Sequence, residues 1–262
     1  QVSFGHAMYS CAAGYTVVFL ARAYQLDGLL LIGLATSVAT VFGALLGLFI
    51  VRYRGIFFGM LNLAFSMVLY SIISKFTTVT GGTDGLSFSR PQLAGFILER
   101  DAFETALLYM VLACALICGL LAQRYFESAP GQALGAIKTN ETRLEYLGIS
   151  AKHVFWMGYL FSGFLAGLGG SLFAIAQGLV TPEAGYWVRS GEFVFIAILG
   201  GSGHAIGAYL GAFIFEFVRF YAAALLTGAW QITLGIVLIV IIFLAPEGLV
   251  GMLTRFRLPA RR

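Results

Sequence analysis

The chain has 262 residues, of which 60% are apolar and 11% are charged, whereas a soluble domain is about 45–50% apolar and about 25% charged. A water-soluble fold of this length would need more charged residues to cover its surface, so the composition excludes a soluble globular protein and predicts an integral membrane protein. The net charge of +4 is modest and the basic residues do not alternate with aromatic ones on a polar face, so the expected partner is membrane lipid and not nucleic acid.

Six stretches with little or no charge predict transmembrane helices. They are residues 5–21, 28–50, 55–74, 105–122, 154–176 and 229–245. A helix rises ~1.5 Å per residue, so about 20 residues cross the ~30 Å hydrocarbon core. Small residues recur at helical spacing within these stretches, for example Gly163, Gly167 and Gly170, and such faces let helix backbones approach closely.

The region 191–226 contains a glycine-rich break at 200–203 between two apolar runs. The run before the break, 193–199, has too few residues to cross a bilayer. A break at membrane depth is tolerated only where protein or a water-filled cavity surrounds it. We therefore predict a half-helix near 191–200, a turn and a full helix. The expected fold is all-α, a polytopic transmembrane helical bundle of seven or eight helical elements that forms a single domain over 1–262.

Lys and Arg near the helix ends predict the orientation, because these residues are in excess in cytoplasmic loops. Simple alternation of the spans places ten of them on one side of the membrane and five on the other, where seven acidic residues accompany them. The ten are Arg52, Arg54, Arg124, Lys138, Arg143, Lys152, Arg255, Arg257, Arg261 and Arg262. This asymmetry places the loop 124–152 and the C-terminus in the cytoplasm, and the loop 76–104 outside.

The cytoplasmic loop 124–152 contains a short amphipathic helical segment. Pro130 can begin a helix in its first turn, and Gly148 can end one. Between these two positions apolar residues alternate with charged ones, which are Lys138, Glu141, Arg143 and Glu145. The segment is too polar to enter lipid. It is therefore either a solvated connector or a docking helix that inserts into a groove on a cytoplasmic partner.

The external loop 76–104 begins with a polar, glycine-rich run at 77–85. Its three glycines allow turns with positive φ, and the carboxylate of Asp84 can cap a following turn. Two interpretations stay open: a structured turn, or a lid or docking surface at the outer mouth of a transport path. In the second interpretation Thr80 and Asp84 are candidate path residues.

Two pairs of polar residues lie inside the predicted spans. Asn62 and Ser66 are one helical turn apart in a charge-free span, where they either hold helices together or line a substrate path. Glu216 and Arg219 are the only charges deep in an otherwise apolar helix, and their spacing places them on one face. A lone charge at the bilayer centre is costly, so we expect a structural ion pair that faces protein or water.

Five blocks of the sequence resemble the permease subunits of branched-chain amino acid ABC importers, in particular the LivM-like branch. In chain order they are Ser3 to Ala7 with Gly14 and Tyr15, Thr80 to Leu86, Pro130 to Ile149, Leu199 to Gly203 with Gly207, and Ala245 to Gly251. Their order and spacing run through almost the whole chain. The chain departs from the family pattern in the third block, where Gln132 and Gly135 stand in place of common arginines and Leu144 in place of a usual alanine.

The resemblance implies a multi-pass subunit of the bacterial inner (plasma) membrane that moves branched-chain amino acids or related small polar substrates inward. The partners it implies are a homologous permease subunit, two ABC ATPase subunits and a periplasmic or external solute-binding protein. It also implies an apolar segment upstream of Gln1, and a cytoplasmic coupling helix that contacts an ATPase subunit. The coupling residues expected on this basis are Gly131, Ala136, Lys138, Asn140, Glu141, Arg143, Leu147 and Gly148.

Other functional classes find less support in the residues. The histidines at 6, 153 and 204 have no Cys, Asp or Glu at ligand spacing, and the sequence contains no G-x-S-x-G or P-loop motif, so we expect no metal site, no cofactor and no enzyme. An ion-gradient-driven secondary transporter would need a membrane-embedded acid, for which only Glu216 qualifies, and Arg219 neutralises it. Leucine-like amino acids, urea, amides and aromatic acids are all compatible substrates.

The orientation predicts how single cysteines react with impermeant thiol reagents. In a chain whose three native cysteines are replaced by alanine, Asp84→Cys and Phe96→Cys are expected to react from outside intact cells. Asn140→Cys and Leu258→Cys are expected to react only after the cells are opened, because these positions face the cytoplasm. Gel-shift labelling measures the difference. Equal labelling of both pairs in intact cells would contradict the orientation.

Overall fold

The computed structural model describes residues 3–93, 95–96, 98–201 and 205–225, and seven further single positions between 232 and 251. Regular structure in this part of the chain is overwhelmingly helical, which confirms the all-α transmembrane bundle. Gln1–Ser190 and Gly191–Arg262 each form a compact unit. A single domain over 1–262 stays a prediction.

Three long helices open the first unit, and the start of the predicted external loop follows them. The helices are α1 (Ala7–Ala23), α2 (Gly28–Ile50) and α3 (Ile56–Lys75), and the start of the loop comprises α4 (Thr77–Thr80), a 3-10 turn (Gly82–Asp84) and strand β1 (Leu86–Ser87). The later elements are α5 (Arg100–Glu127), α6 (Ala129–Thr139), α7 (Glu141–Tyr146), α8 (Ala151–Gln177), strand β2 (Leu179–Val180), a 3-10 turn (Pro182–Gly185), α9 (Trp187–Gly200) and α10 (Ala205–Leu225).

Among the described residues, five helices are long and apolar enough to cross a membrane: α2, α3, α5, α8 and, over Ala205–Ala222, α10. Four of them coincide with the predicted spans 28–50, 55–74, 105–122 and 154–176. α1 has 17 residues and corresponds to the shorter predicted span 5–21. The predicted span 229–245 lies outside the described residues.

The break between the last two described helices lies where the glycine-rich run predicts it. α9 begins at Trp187, earlier than the predicted half-helix, but its 14 residues rise only ~21 Å, which is less than the ~30 Å core. In the second unit a Cβ atom at Gly211 would overlap the carbonyl oxygen of Ile196. The absence of a side chain at this position therefore lets α10 fold back closely on α9.

α8 crosses α1 and α2 at small residues. A Cβ atom at Gly170 would overlap the backbone of Ser10 in α1, and one at Gly167 would lie 2.7 Å from the Cβ of Ala39 in α2. Ser10 Oγ also donates a hydrogen bond to the carbonyl oxygen of Ala166 at 2.8 Å. Helix association in lipid depends on such close contact and on interhelical hydrogen bonds. The small-residue face of α8 is therefore its packing face.

A short two-stranded sheet joins the predicted external loop to the segment that follows α8. β1 pairs with β2 in antiparallel register, with Leu86 opposite Val180. The glycines at 81, 82 and 85 all have positive φ, as their positions in the external loop predict. A side chain at Gly85 would overlap the carbonyl oxygen of Val180, so this turn can approach the sheet only because glycine is present. Arg22 Nε donates to the carbonyl oxygen of Ser87 at 2.9 Å and ties α1 to the sheet.

The α1–α8 crossing predicts opposite effects of two adjacent substitutions. Gly170→Ala forces the two helices apart, because its Cβ atom overlaps the backbone of Ser10, and such overpacking costs ~1–3 kcal/mol. Gly169→Ala places its Cβ atom in open space and gains up to about 1 kcal/mol of helix propensity. We expect only Gly170→Ala to lower the thermal stability of the detergent-solubilised protein, measured by fluorescence size-exclusion chromatography. Equal stability of the two variants would contradict the crossing.

Candidate functional site

The predicted cytoplasmic segment consists of two helices, α6 and α7, with a break at Asn140. The backbone of Asn140 is extended, with φ of −162° and ψ of 100°, and its side-chain oxygen accepts a hydrogen bond from the N–H of Arg143 at 3.0 Å. Asn is a favoured N-cap because its side chain satisfies a free N–H group of the first turn. Asn140 therefore begins α7, and Gly148, with φ of 79°, follows its end. The segment is an interrupted pair of helices and not one continuous helix.

The corner between α5 and α6 is formed by Pro130 and Gly131. Pro130 lies in the first turn of α6, where its missing N–H costs no hydrogen bond. Gly131 is buried, and a Cβ atom there would overlap the carbonyl oxygen of Tyr125. Of the predicted coupling residues, Gly131 is thus placed in the packing of the chain itself.

An apolar cluster fixes the segment to the start of α8. Ala133 of α6 and Leu144 of α7 are buried together with Ala151 and Val154 of α8. Leu144, which stands where the resembled family commonly has alanine, is buried within this cluster. Burial of apolar surface contributes about 25 cal/mol per Å². The underside of the segment is therefore attached to a membrane-spanning helix, and its other face is left exposed.

The exposed face ends in an apolar tip made of Tyr146, Leu147 and Ile149. Tyr146 is 87% exposed and Leu147 is 73% exposed. The predicted coupling residues that are exposed are Ala136, Asn140, Arg143, Leu147 and Gly148. The side chain of Lys138 lies outside the described part of the chain. Large apolar side chains at an exposed tip mark a surface that a partner can cover.

Glu141, another predicted coupling residue, is bound to the turn between α2 and α3. Arg54 Nη2 lies 2.9 Å from Glu141 Oε1, and Arg54 Nε lies 3.2 Å from each carboxylate oxygen. The same guanidinium donates to the carbonyl oxygen of Val51, and its Cζ atom lies 4.9 Å from the ring centre of Phe155 in α8. Arg54 thus brings α7, the α2–α3 turn and α8 together.

Asn62, a predicted path residue, belongs to a buried polar chain with Tyr9 and Tyr159. The Tyr159 hydroxyl donates to Asn62 Oδ1 at 2.5 Å, so the Tyr9 hydroxyl, 2.6 Å away, donates to Tyr159. Asn62 Nδ2 donates to the carbonyl oxygen of Phe58 at 2.8 Å. Asn62 is fully buried, and in this conformation its amide joins α3 to α8. The buried polar chain links three helices, α1, α3 and α8.

The other predicted path residues have different surroundings. Ser66 is fully buried, and its hydroxyl donates to the carbonyl oxygen of Gly185 at 2.9 Å. Thr80 Oγ1 lies 2.5 Å from the carbonyl oxygen of Ile73, where it closes the end of α3. Asp84 is exposed in the predicted external loop. Asn62 and Ser66 therefore face the interior of the bundle, whereas Thr80 shapes the loop and the side chain of Asp84 is free of such packing.

Sequence reasoning missed the roles of Tyr9, Tyr159 and Arg54. One signal was present, because a tyrosine hydroxyl inside an apolar span needs a hydrogen-bond partner, as does an asparagine. The partners are 150 residues apart for the two tyrosines and 97 apart for Tyr159 and Asn62. Arg54 has no comparable signal, because a basic residue in a cytoplasmic turn is explained by orientation alone.

Glu216 and Arg219 form an ion pair in the second unit. Arg219 Nη1 lies 3.1 Å from Glu216 Oε1, and the side chain of Glu216 is 63% exposed. The pair lies near the middle of α10, on a side of the helix where Phe213 and Phe220 are also exposed. The geometry agrees with the spacing in the sequence, and the role of the pair stays a prediction.

A protein family and two curated proteins match most of the chain. The family model described as branched-chain amino acid transport system / permease component matches residues 1–245. The high-affinity branched-chain amino acid transport system permease protein LivM of Escherichia coli (strain K12) is 26% identical over 231 residues, which are 80% of this chain and 54% of that protein. The protein of the same name from Salmonella typhimurium (strain LT2) is 27% identical over 229 residues, 79% of this chain and 54% of that protein.

The chain therefore spans about half the length of the curated relatives it matches. No solved structure matches it. The family match covers both the cytoplasmic segment and the buried polar chain. It confirms the resemblance found in the five sequence blocks: the chain belongs to the family of branched-chain amino acid transport system permease components.

Proposed function

We propose that the chain is a transmembrane permease subunit of a bacterial ABC importer, which moves branched-chain amino acids or related small polar substrates inward across the inner membrane. Two partner ABC ATPase subunits supply the energy, a homologous permease subunit completes the path, and a periplasmic or external solute-binding protein delivers the substrate. The observation that carries the proposal is the exposed apolar tip, on a segment whose underside is fixed to α8.

The apolar tip has the chemistry of a protein contact. Tyr146 and Leu147 are flanked by the exposed charges of Arg143 and Glu145. An apolar anchor with a polar rim is typical of the centre of a protein interface, and an amphipathic helix buries such an anchor in a groove of its partner. In this proposal the ATP site belongs to that partner.

An ion-gradient-driven transporter is the alternative class. In such a protein a membrane-embedded carboxylate binds the coupling ion, and the candidate would be Glu216. Arg219 lies 3.1 Å from this carboxylate and supplies its counter-charge. We therefore assign the two residues to a structural pair and keep ATP as the energy source.

Leu147 is the position at which the ATPase contact is tested. In the assembled complex, Leu147→Cys is expected to crosslink to an ATPase subunit, whereas Phe96→Cys in the external loop is not. Leu147→Asp is expected to lower ATP-driven uptake by at least about tenfold, because loss of a central interface anchor costs about 2 kcal/mol or more. Uptake and ATP hydrolysis are measured on the same proteoliposomes.

Thr142→Ala is the matched control, because Thr142 is an exposed residue of the same helix and loses only a small polar group. Absence of any crosslink from position 147 would contradict the assignment of the coupling segment. Uptake driven by an imposed ion gradient without ATP would contradict the energy source and favour the alternative class.

The substrate path is proposed to include Asn62 and Ser66, with Thr80 and Asp84 at its outer mouth. A hydrogen bond between membrane helices averages only ~0.6 kcal/mol, about a threefold effect on an equilibrium. Asn62→Leu and Ser66→Ala are expected to assemble normally but to lower uptake by more than about tenfold. The loss of one hydrogen bond between helices would explain only about a threefold effect. Ser37→Ala is the control, because its exposed hydroxyl bonds only within α2, to Gly33. Wild-type uptake by both variants would remove these residues from the path.

A further inference from the structure

Arg54 begins an unbroken series of contacts that leads from the coupling segment into the bundle. Its guanidinium binds Glu141 and lies over the ring of Phe155, 4.9 Å from the ring centre. Phe155 meets Phe58 edge to face at 5.4 Å, and Phe58 meets Tyr159 in the same way at 5.9 Å. Tyr159 is the middle member of the buried polar chain. The series thus joins α7 to the helices that carry Asn62 and Tyr9.

The guanidinium of Arg54 is fixed to the backbone around it. Besides Glu141, it donates to the carbonyl oxygens of Val51 and Tyr53 in the turn between α2 and α3. Gly55 follows with φ of 60°, a conformation that favours glycine. Because the fork of an arginine is planar and rigid, its donors keep fixed relative positions. The guanidinium therefore links Glu141 directly to the turn that precedes α3.

We infer that Arg54 is a positioning residue, which transmits movement of α7 to α3 and α8 when a partner displaces the coupling segment. The inference rests on the proposed function, because it requires an ATPase subunit at the apolar tip. The partner binds the apolar tip, whereas Glu141 lies on the side of the segment that contacts the turn between α2 and α3. Glu141 then acts on transport through Arg54 and not through the ATPase surface.

The partial exposure of the Arg54–Glu141 pair indicates that the pair transmits movement and does not simply hold the segment in place. The side chains of Arg54 and Glu141 are 27% and 36% exposed, and ion pairs that are this well solvated add little to folding stability. The apolar cluster of Ala133, Leu144, Ala151 and Val154 fixes the segment to α8 independently of the pair. The segment therefore stays attached when the pair is broken, and the expected defect is in coupling rather than in assembly.

The test is a charge-swap cycle in the complete importer, reconstituted in proteoliposomes. The variants are Arg54→Gln, Glu141→Gln, Glu141→Arg and the double variant Arg54→Glu/Glu141→Arg. Arg52→Gln is the matched control, because Arg52 belongs to the same turn and is exposed. Three quantities are measured: assembled complex, ATP hydrolysis, and leucine taken up per ATP hydrolysed, which is the coupling ratio. A double-variant cycle isolates the contribution of the pair.

The single variants are expected to assemble and to hydrolyse ATP, but with a coupling ratio at least about fivefold below that of the unmodified chain. A factor of about five is the lower end of the usual effect of one site on another. The swapped pair is expected to recover at least about half of the ratio, because the charge-assisted contact is restored. Arg54→Lys is expected to be intermediate, since it keeps the charge and loses the planar fork. Arg52→Gln is expected to retain the full ratio.

An unchanged coupling ratio in Arg54→Gln would overturn the inference. A swapped pair that stays uncoupled would also overturn it, because Glu141 would then be contacted by the ATPase itself. Loss of assembled complex in the single variants, with recovery in the swapped pair, would make the ion pair structural and would equally count against transmission. Failure of the proposed function is recognised separately. In that case Leu147→Cys, in a chain that keeps Arg54 and Glu141, would give no crosslink to an ATPase subunit.

Discussion

The close crossing of α8 over α1 and α2 is the contact on which the rest of the first unit depends. Lipid does not drive helices together as water does, so they associate through van der Waals contact and interhelical hydrogen bonds. Gly170 brings the backbone of α8 against that of Ser10, and Gly167 brings it against Ala39. A larger side chain at either position would separate the helices. These two contacts therefore set how closely α8 packs on α1 and α2, and this packing positions the groups attached to α8.

The predicted coupling segment and the buried polar chain are both attached to α8. The segment packs on its first turn at Ala151 and Val154, and the next turns bring Phe155 to Arg54 and Tyr159 to Asn62. Each contact is weak by itself, because a partly exposed ion pair contributes ~0.2–1 kcal/mol and a hydrogen bond between membrane helices averages ~0.6 kcal/mol. Because both contacts lie on one helix, α8 sets the spacing between the contact with α7 and the contact inside the bundle.

Hydropathy predicted the spans because a membrane span is a local property of consecutive residues. The glycine-rich run predicted the break after Gly200 for the same reason. The division of the predicted cytoplasmic segment at Asn140 could also be predicted from the sequence, since Asn is a favoured N-cap. The contacts that define the site could not be predicted in this way. Arg54 and Glu141 are 87 residues apart, and Tyr159 and Asn62 are 97 apart. Such pairs depend on how the helices pack, and nothing in the spacing of one sequence specifies which distant polar groups will meet.

The two ends of the first unit are held in different ways. At the end that carries β1 and β2, the two strands pair with each other, and the Asp27 carboxylate accepts hydrogen bonds from the N–H groups of Leu29 and Gly95. At the end that carries α6 and α7, a small apolar cluster and the Arg54–Glu141 pair hold the segment, while its tip is exposed. Regions with few buried contacts move at lower free-energy cost than packed ones. The end where a partner is proposed to bind is thus held by the smaller apolar cluster, as the proposed transmission of movement from α7 through Arg54 requires.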